Sequence, residues 1–270
     1  MIQLDDRLND LYKKSKSNKT KHYSSHVGLT LARQLHLNSE KAKLFLYLSI
    51  IEKSILSFRS SNINCANFFF NKISKFNYVF PDNISAGTLA LKNALESYKE
   101  YILKNYFTAE SLIRSAIKNS VIQSKLTQSF LSSAFEQWLN LARLLITTQE
   151  YDKLETELES YFMFLEGIPS PEHLIFNTDV LKLRQLVLTE AFIQHDFFII
   201  ETIYTRLDNV KKAKHITRSA AKVLQQSNLY FCFIAIIDGS ADYFQMERSL
   251  LYYHLFSKKS KHIIDGLFSK

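Results

Sequence analysis

Five glycines and three prolines in a chain of 270 residues are too few to reverse a strand-rich fold, which consumes turn-forming residues at every hairpin. Long helices joined by tight corners need far fewer. The hydropathy pattern agrees: strict apolar alternation is hard to find, while apolar residues recur at three- and four-residue spacings almost throughout. At 46% hydrophobic residues, the chain also has enough apolar material for a continuous core.

The helical pattern itself recurs. From Tyr106, apolar or small residues fall at +3, +7 and +10 (Ala109, Ile113, Ala116), and the same offsets from Tyr151 give Leu154, Leu158 and Tyr161. Phe197 gives Ile200, Tyr204 and Leu207, and Tyr243 gives Met246, Leu250 and Tyr253. These four aromatic anchors are spaced by 45, 46 and 46 residues, and a weaker copy begins at Ile63 with Ala66, Phe70 and Ile73. A short polar turn precedes each strong anchor, as in Lys104-Asn105 or Gln149-Glu150, and an apolar helix precedes the turn. A helix, a corner and a second helix make a unit that cannot bury its apolar face alone, so successive units must cover one another.

The stretch from Leu141-Ala142 through Tyr151 to Leu154, and Tyr106-Phe107-Thr108-Ala109 followed by Ala116, resemble the tetratricopeptide repeat. That family pairs an LA-containing helix with a second helix opening on G-x-Y-x-x-A. This chain lacks the small residue in the turn, and its period near 45 exceeds the family's 34, which implies longer helices. The expectation is an all-α fold: a right-handed stack of antiparallel helix hairpins, a tetratricopeptide-like solenoid. Proline and glycine punctuation at 78–87 suggests an N-terminal helical region, 1–80, before a repeat region, 81–270, within what could be one continuous domain. The resemblance implies a concave groove for a protein or peptide, lined by Glu136, Leu139, Arg143, Lys182, Gln185 and Asn228.

Charge is distributed unevenly, at +8 over residues 1–78, −5 over 79–200 and +5 over 201–270. Between Asn209 and Gln226 an apolar stripe (Ala213, Ile216, Ala220, Leu224) lies opposite a basic face of Lys211, Lys212, Lys214, His215, Arg218 and Lys222. Lys13, Lys14, Lys16, Lys19 and Lys21 make a further basic patch. These faces suit an acidic protein surface or a phosphate backbone. The acidic group Glu150, Asp152, Glu155, Glu157 and Glu159 reads as a solvated helix face.

No constellation for catalysis emerges. His22 and His26 stand four apart but lack both the intervening glutamate and a third ligand. The segment Leu31 to Ser39 followed by Ile50-Ile51 is similar to the start of a histidine-aspartate metal phosphohydrolase. That family's His-Asp pair falls on Glu52-Lys53, which places a cation where the metal would sit. Read as a helix-turn-helix, 29–37 and 40–48, the same stretch would present Leu44, Phe45, Leu46 and Tyr47 to a groove, which suits a core hairpin better. Cys65 and Cys232 lie 167 residues apart among apolar neighbours and read as small core residues. Aromatics fall on apolar stripes, which argues against base stacking.

The longest apolar run, Leu229–Ile237, is about half the roughly 20 residues a bilayer span needs, and the opening Met-Ile-Gln-Leu-Asp-Asp lacks a signal peptide's features. The chain is thus expected to be a cytoplasmic, non-enzymatic binding scaffold with a regulatory or adaptor role, without cofactor or metal and away from membranes. Its expected partner is another protein or peptide. The alternative is a nucleic-acid-binding regulator that uses the basic helix faces.

Overall fold

The computed structural model describes residues 28, 30–127, 130–165, 168–171, 175–177, 180 and 215–216. Among the described residues every regular element is a helix: α1 (Asn38–Arg59), α2 (Ile63–Ser74), α3 (Asp82–Ile102), α4 (Tyr106–Ser124), α5 (Leu131–Thr147) and α6 (Tyr151–Leu165). The expected all-α class is therefore observed. Each helix follows from its spacing of buried positions. In α1 these are Leu44, Tyr47, Leu48, Ile51, Ser54 and Phe58, and in α4 Ala109, Ile113, Ala116, Ile117, Ser120 and Gln123. Glu40 in the first turn of α1 and Arg59 in its last oppose the helix dipole. Asn62 caps α2, its side-chain oxygen accepting from the Cys65 N–H at 3.2 Å.

Three corners share one geometry. Ser61, Lys104 and Gln149 are all left-handed, with φ of 59°, 62° and 59°, and each lies two residues before the next helix begins. In the first corner Ser61 N–H donates to Phe58 C=O and Asn62 N–H to Ser57 C=O. Lys104 donates to Tyr101 and Asn105 to Glu100; Gln149 donates to Ile146 and Glu150 to Leu145. These are Schellman terminations, in which the last orphan carbonyls of one helix are satisfied by the residue that starts the next. No glycine stands at any of the three left-handed sites, so the corners are invisible to a search for glycine punctuation.

The three corners are 43 and 45 residues apart, and the flanking positions correspond. Seven residues before the left-handed residue stand Ser54, Ser97 and Ala142; five after it stand Ala66, Ala109 and Leu154, and all six are buried. The Ser54 hydroxyl donates to the Ala66 carbonyl at 3.2 Å, as small residues allow where the two helices cross. Ile63, Tyr106 and Tyr151, anchors inferred from periodicity, are each the first residue of a second helix. Phe197 and Tyr243, the other two anchors, lie outside the described residues.

The chain divides into two compact units, Met1–Leu141 and Ala142–Lys270. In the first, α1 packs on α2 and on α3, and α3 packs on α4. Its core joins Leu31, Leu44, Tyr47, Ile51, Ile84, Leu91, Leu95 and Phe130. Residues on both sides of position 80, among them Ile73, Phe80 and Ile84, belong to this one core. Tyr47 on α1 meets Phe76 and Phe80 at ring-centroid distances of 5.2 Å each and donates its hydroxyl weakly to Thr88 C=O on α3 at 3.4 Å. In the second unit Tyr161 and Phe164 on α6 pack against Phe176 at 5.2 and 5.1 Å.

Inside the first unit, Gln123 inserts its carboxamide into α3. Its Oε1 accepts from Gly87 N–H and its Nε2 donates to Asn83 C=O, both at 2.9 Å, the two groups that a regular helix joins to each other. Such close approach requires glycine at 87. A Cβ there would stand 2.7 Å from Leu31 Cδ2 and 3.0 Å from Gln123 Cγ.

Candidate interaction surface

A second helix with three consecutive phenylalanines cannot bury them all, because successive residues point 100° apart. In α2, Ala66 and Ile73 face the core, and Phe69 and Phe70 are half-buried on either flank. Phe68 is carried to the outer surface, 57% exposed, beside Asn64, Asn67, Asn71, Lys72 and Lys75, all exposed. The Phe68 and Phe69 rings meet edge to face at 5.3 Å.

Lysines surround this helix and lie over its rings. Lys72 Nζ stands 5.3 Å from the Phe68 centroid, Lys53 Nζ of α1 is 5.6 Å from Phe69, and Lys99 Nζ of α3 is 4.0 Å from Phe70. Lys43 Nζ lies 4.1 Å from the Tyr78 ring, just beyond α2. Four such pairs between residues 43 and 99 exceed the roughly one per 70–80 residues usual in proteins, so aromatic rings and cations are concentrated here. The sequence carries no acidic residue between Glu52 and Asp82. Among the described residues, no carboxylate lies within ion-pairing distance of Lys53, Lys72 or Lys99. The cations are therefore available to an anion.

Few of the residues inferred from sequence fall among those the structure describes. Of the groove set, Glu136 and Arg143 are half-exposed on α5, and Leu139 is fully buried, a packing residue at this position; Lys182, Gln185 and Asn228 lie outside the described residues. Of the basic face, His215 is exposed and its neighbour Ile216 buried, in keeping with the stripe assigned there. Lys211, Lys212, Lys214, Arg218, Lys222, the N-terminal lysines, His22, His26 and Cys232 lie outside the described residues. Cys65 is half-buried, with the Ser57 hydroxyl 3.4 Å from its sulfur, rather than a core residue. In the acidic group Asp152 and Glu159 are solvated, but Glu157 is only 3% exposed and so departs from the expected solvated face. Of the two helices read at 29–37 and 40–48, the first is helical at 30–32 and not at 33–37 among the described residues, and the second belongs to α1, where Leu44, Tyr47 and Leu48 are buried.

Sequence reasoning missed Phe68. Its neighbours Phe69 and Phe70 gave the same hydropathy signal, and only the phase set by buried Ala66 and Ile73 distinguishes the exposed ring. Among the described residues no group of three or more His, Cys, Asp or Glu could hold a metal, and no helix is long and apolar enough to cross a membrane. No protein-family model, curated protein or solved structure matches this chain.

Proposed function

We propose that this chain is a non-enzymatic, tetratricopeptide-like helical-repeat scaffold that binds a protein or peptide in a regulatory or adaptor role. The observation that carries the reading is the threefold recurrence of one corner at near-constant spacing, with buried residues at matched positions on both sides, small at all but Leu154. Identical corners give successive hairpins the same internal angle, and hairpins of one angle stack into a curved array whose inner helices form a groove. The exposed parts of Glu136 and Arg143 on α5, a first helix of its hairpin, are the described positions from which such a groove would be read.

A photo-crosslinking residue at Glu136 in the full chain tests this. The expected result is a discrete protein adduct that survives nuclease and high salt and is absent when the probe sits at exposed Thr156 on α6. An adduct lost on nuclease treatment, or equal capture from both positions, would count against the scaffold reading.

A further inference from the structure

We propose that the outer face of α2, with Phe68 at its centre, binds single-stranded nucleic acid. The exposed Phe68 ring offers a stacking platform for a base, and its edge-to-face contact with Phe69 holds it in place. Lys53 and Lys72 lie beside those rings, and with exposed Lys75 they supply cations for the phosphates of a strand that carries a stacked base. Asn64, Asn67 and Asn71 surround the ring with amides that both donate and accept, as base edges and sugar hydroxyls require.

Charge complementarity selects an anionic partner, since residues 53–81 carry Lys53, Arg59, Lys72 and Lys75 and no carboxylate. Among anionic partners the face favours a strand over a helix or a membrane. A docked amphipathic helix needs a seam of apolar residues at i, i+3, i+4 and i+7, and here the positions three, four and seven after Phe68 are Asn71, Lys72 and Lys75. A membrane surface needs several apolar side chains to insert, and this face exposes one ring. Duplex recognition would require a helix presented to a groove with its basic side leading, whereas a ring flanked by amides reads unstacked bases.

The test is fluorescence anisotropy of the full chain with fluorescein-labelled 12-nucleotide oligo(dT) and oligo(U), compared with a duplex of equal length and with anionic phosphatidylserine vesicles. Expected is binding of a single strand in preference to duplex and vesicles, weakening with salt at about 0.7 in log–log slope per phosphate contact. The two oligonucleotides distinguish DNA from RNA as the strand bound. Phe68→Ala should weaken binding about tenfold at unchanged slope. Lys53→Gln and Lys72→Gln should each flatten the slope by about 0.7. Phe68→Trp should restore affinity, and Phe107→Ala, at another exposed ring, should leave it unaltered.

Because Phe68 is largely exposed, the urea midpoint of Phe68→Ala should match that of the parent, so lost binding reports lost stacking. No single-strand binding at low salt, binding that Phe68→Ala leaves unchanged, or preference for vesicles or duplex would overturn the proposal. The groove reading is probed separately at Glu136 under nuclease and high salt, so either can fail without the other.

Discussion

Gly87 shows how one missing methyl group can decide the register of two helices. Alanine is the better helix former by about 1 kcal/mol, yet the Cβ of Gly87→Ala would press on Leu31, itself fully buried, and on the Gln123 amide. Steric strain wins, and the substitution should destabilise the protein by about 1–3 kcal/mol in urea denaturation, with loss of Gln123 amide protection from exchange. The opposite sign is expected at the corners. Left-handed backbone costs a non-glycine residue about 1–2 kcal/mol, partly offset by glycine's larger unfolded entropy, so Lys104→Gly should stabilise by about 0.5–1 kcal/mol. Ser61→Gly and Gln149→Gly should act alike and additively, since the corners share no partner. Tyr47 supplies a pH dependence. Burial, and secondarily the Glu96 carboxylate, holds its hydroxyl above the usual value of about 10. The folded state thus keeps the proton more tightly than the unfolded chain. This stability is fully present below about pH 10 and is lost as pH rises further. Tyr47→Phe should flatten the alkaline fall in the urea midpoint, at a neutral-pH cost of under about 1 kcal/mol for the weak bond to Thr88.

At the level of elements, the paired small positions explain why the hairpins share a form without sharing a sequence. Where the first helix carries serine (Ser54, Ser97), the second carries alanine (Ala66, Ala109); where it carries Ala142, the second accommodates Leu154. Serine and alanine are near-equal in volume, so the first two pairs are small on both sides, while the third admits one large side chain. Ala109→Leu should therefore overpack the crossing and cost about 1–3 kcal/mol, while Leu154→Ala should leave a cavity and cost about 2–5 kcal/mol, both measurable by chemical denaturation. The same comparison shows what could be read from sequence. Tyr106 and Tyr151 were legible as helix starts because their apolar offsets survive intact, and Ile63 only faintly because Phe70 in its copy is half-buried. Two corners were legible in place, as the polar turns Lys104-Asn105 and Gln149-Glu150, but not in geometry, since serine, lysine and glutamine carry no left-handed signature. Gln123 was equally silent: a glutamine on a helix usually faces water, and only the partner helix reveals the backbone N–H and C=O that it bridges. Phe68 was hidden by its own neighbours, three identical residues spread over 200° of helix.

At the scale of the molecule, α5 runs from Leu131 to Thr147 across the point after Leu141 at which the chain divides. Ala142→Pro, which removes a hydrogen bond and clashes with the preceding turn at a cost of about 3 kcal/mol or more, should lower amide-exchange protection in α5. Unchanged protection there would show that the helix absorbs the kink. The three-residue corners carry a further consequence. Each shares its residues between the end of one helix and the start of the next, so an added residue has nowhere to go except into a helix, where it rotates every later side chain by 100°. Insertions that natural variants of this chain accumulate, and fusion tags placed by design, should accordingly collect in the connectors at 75–81 and 125–130, which join one hairpin to its successor.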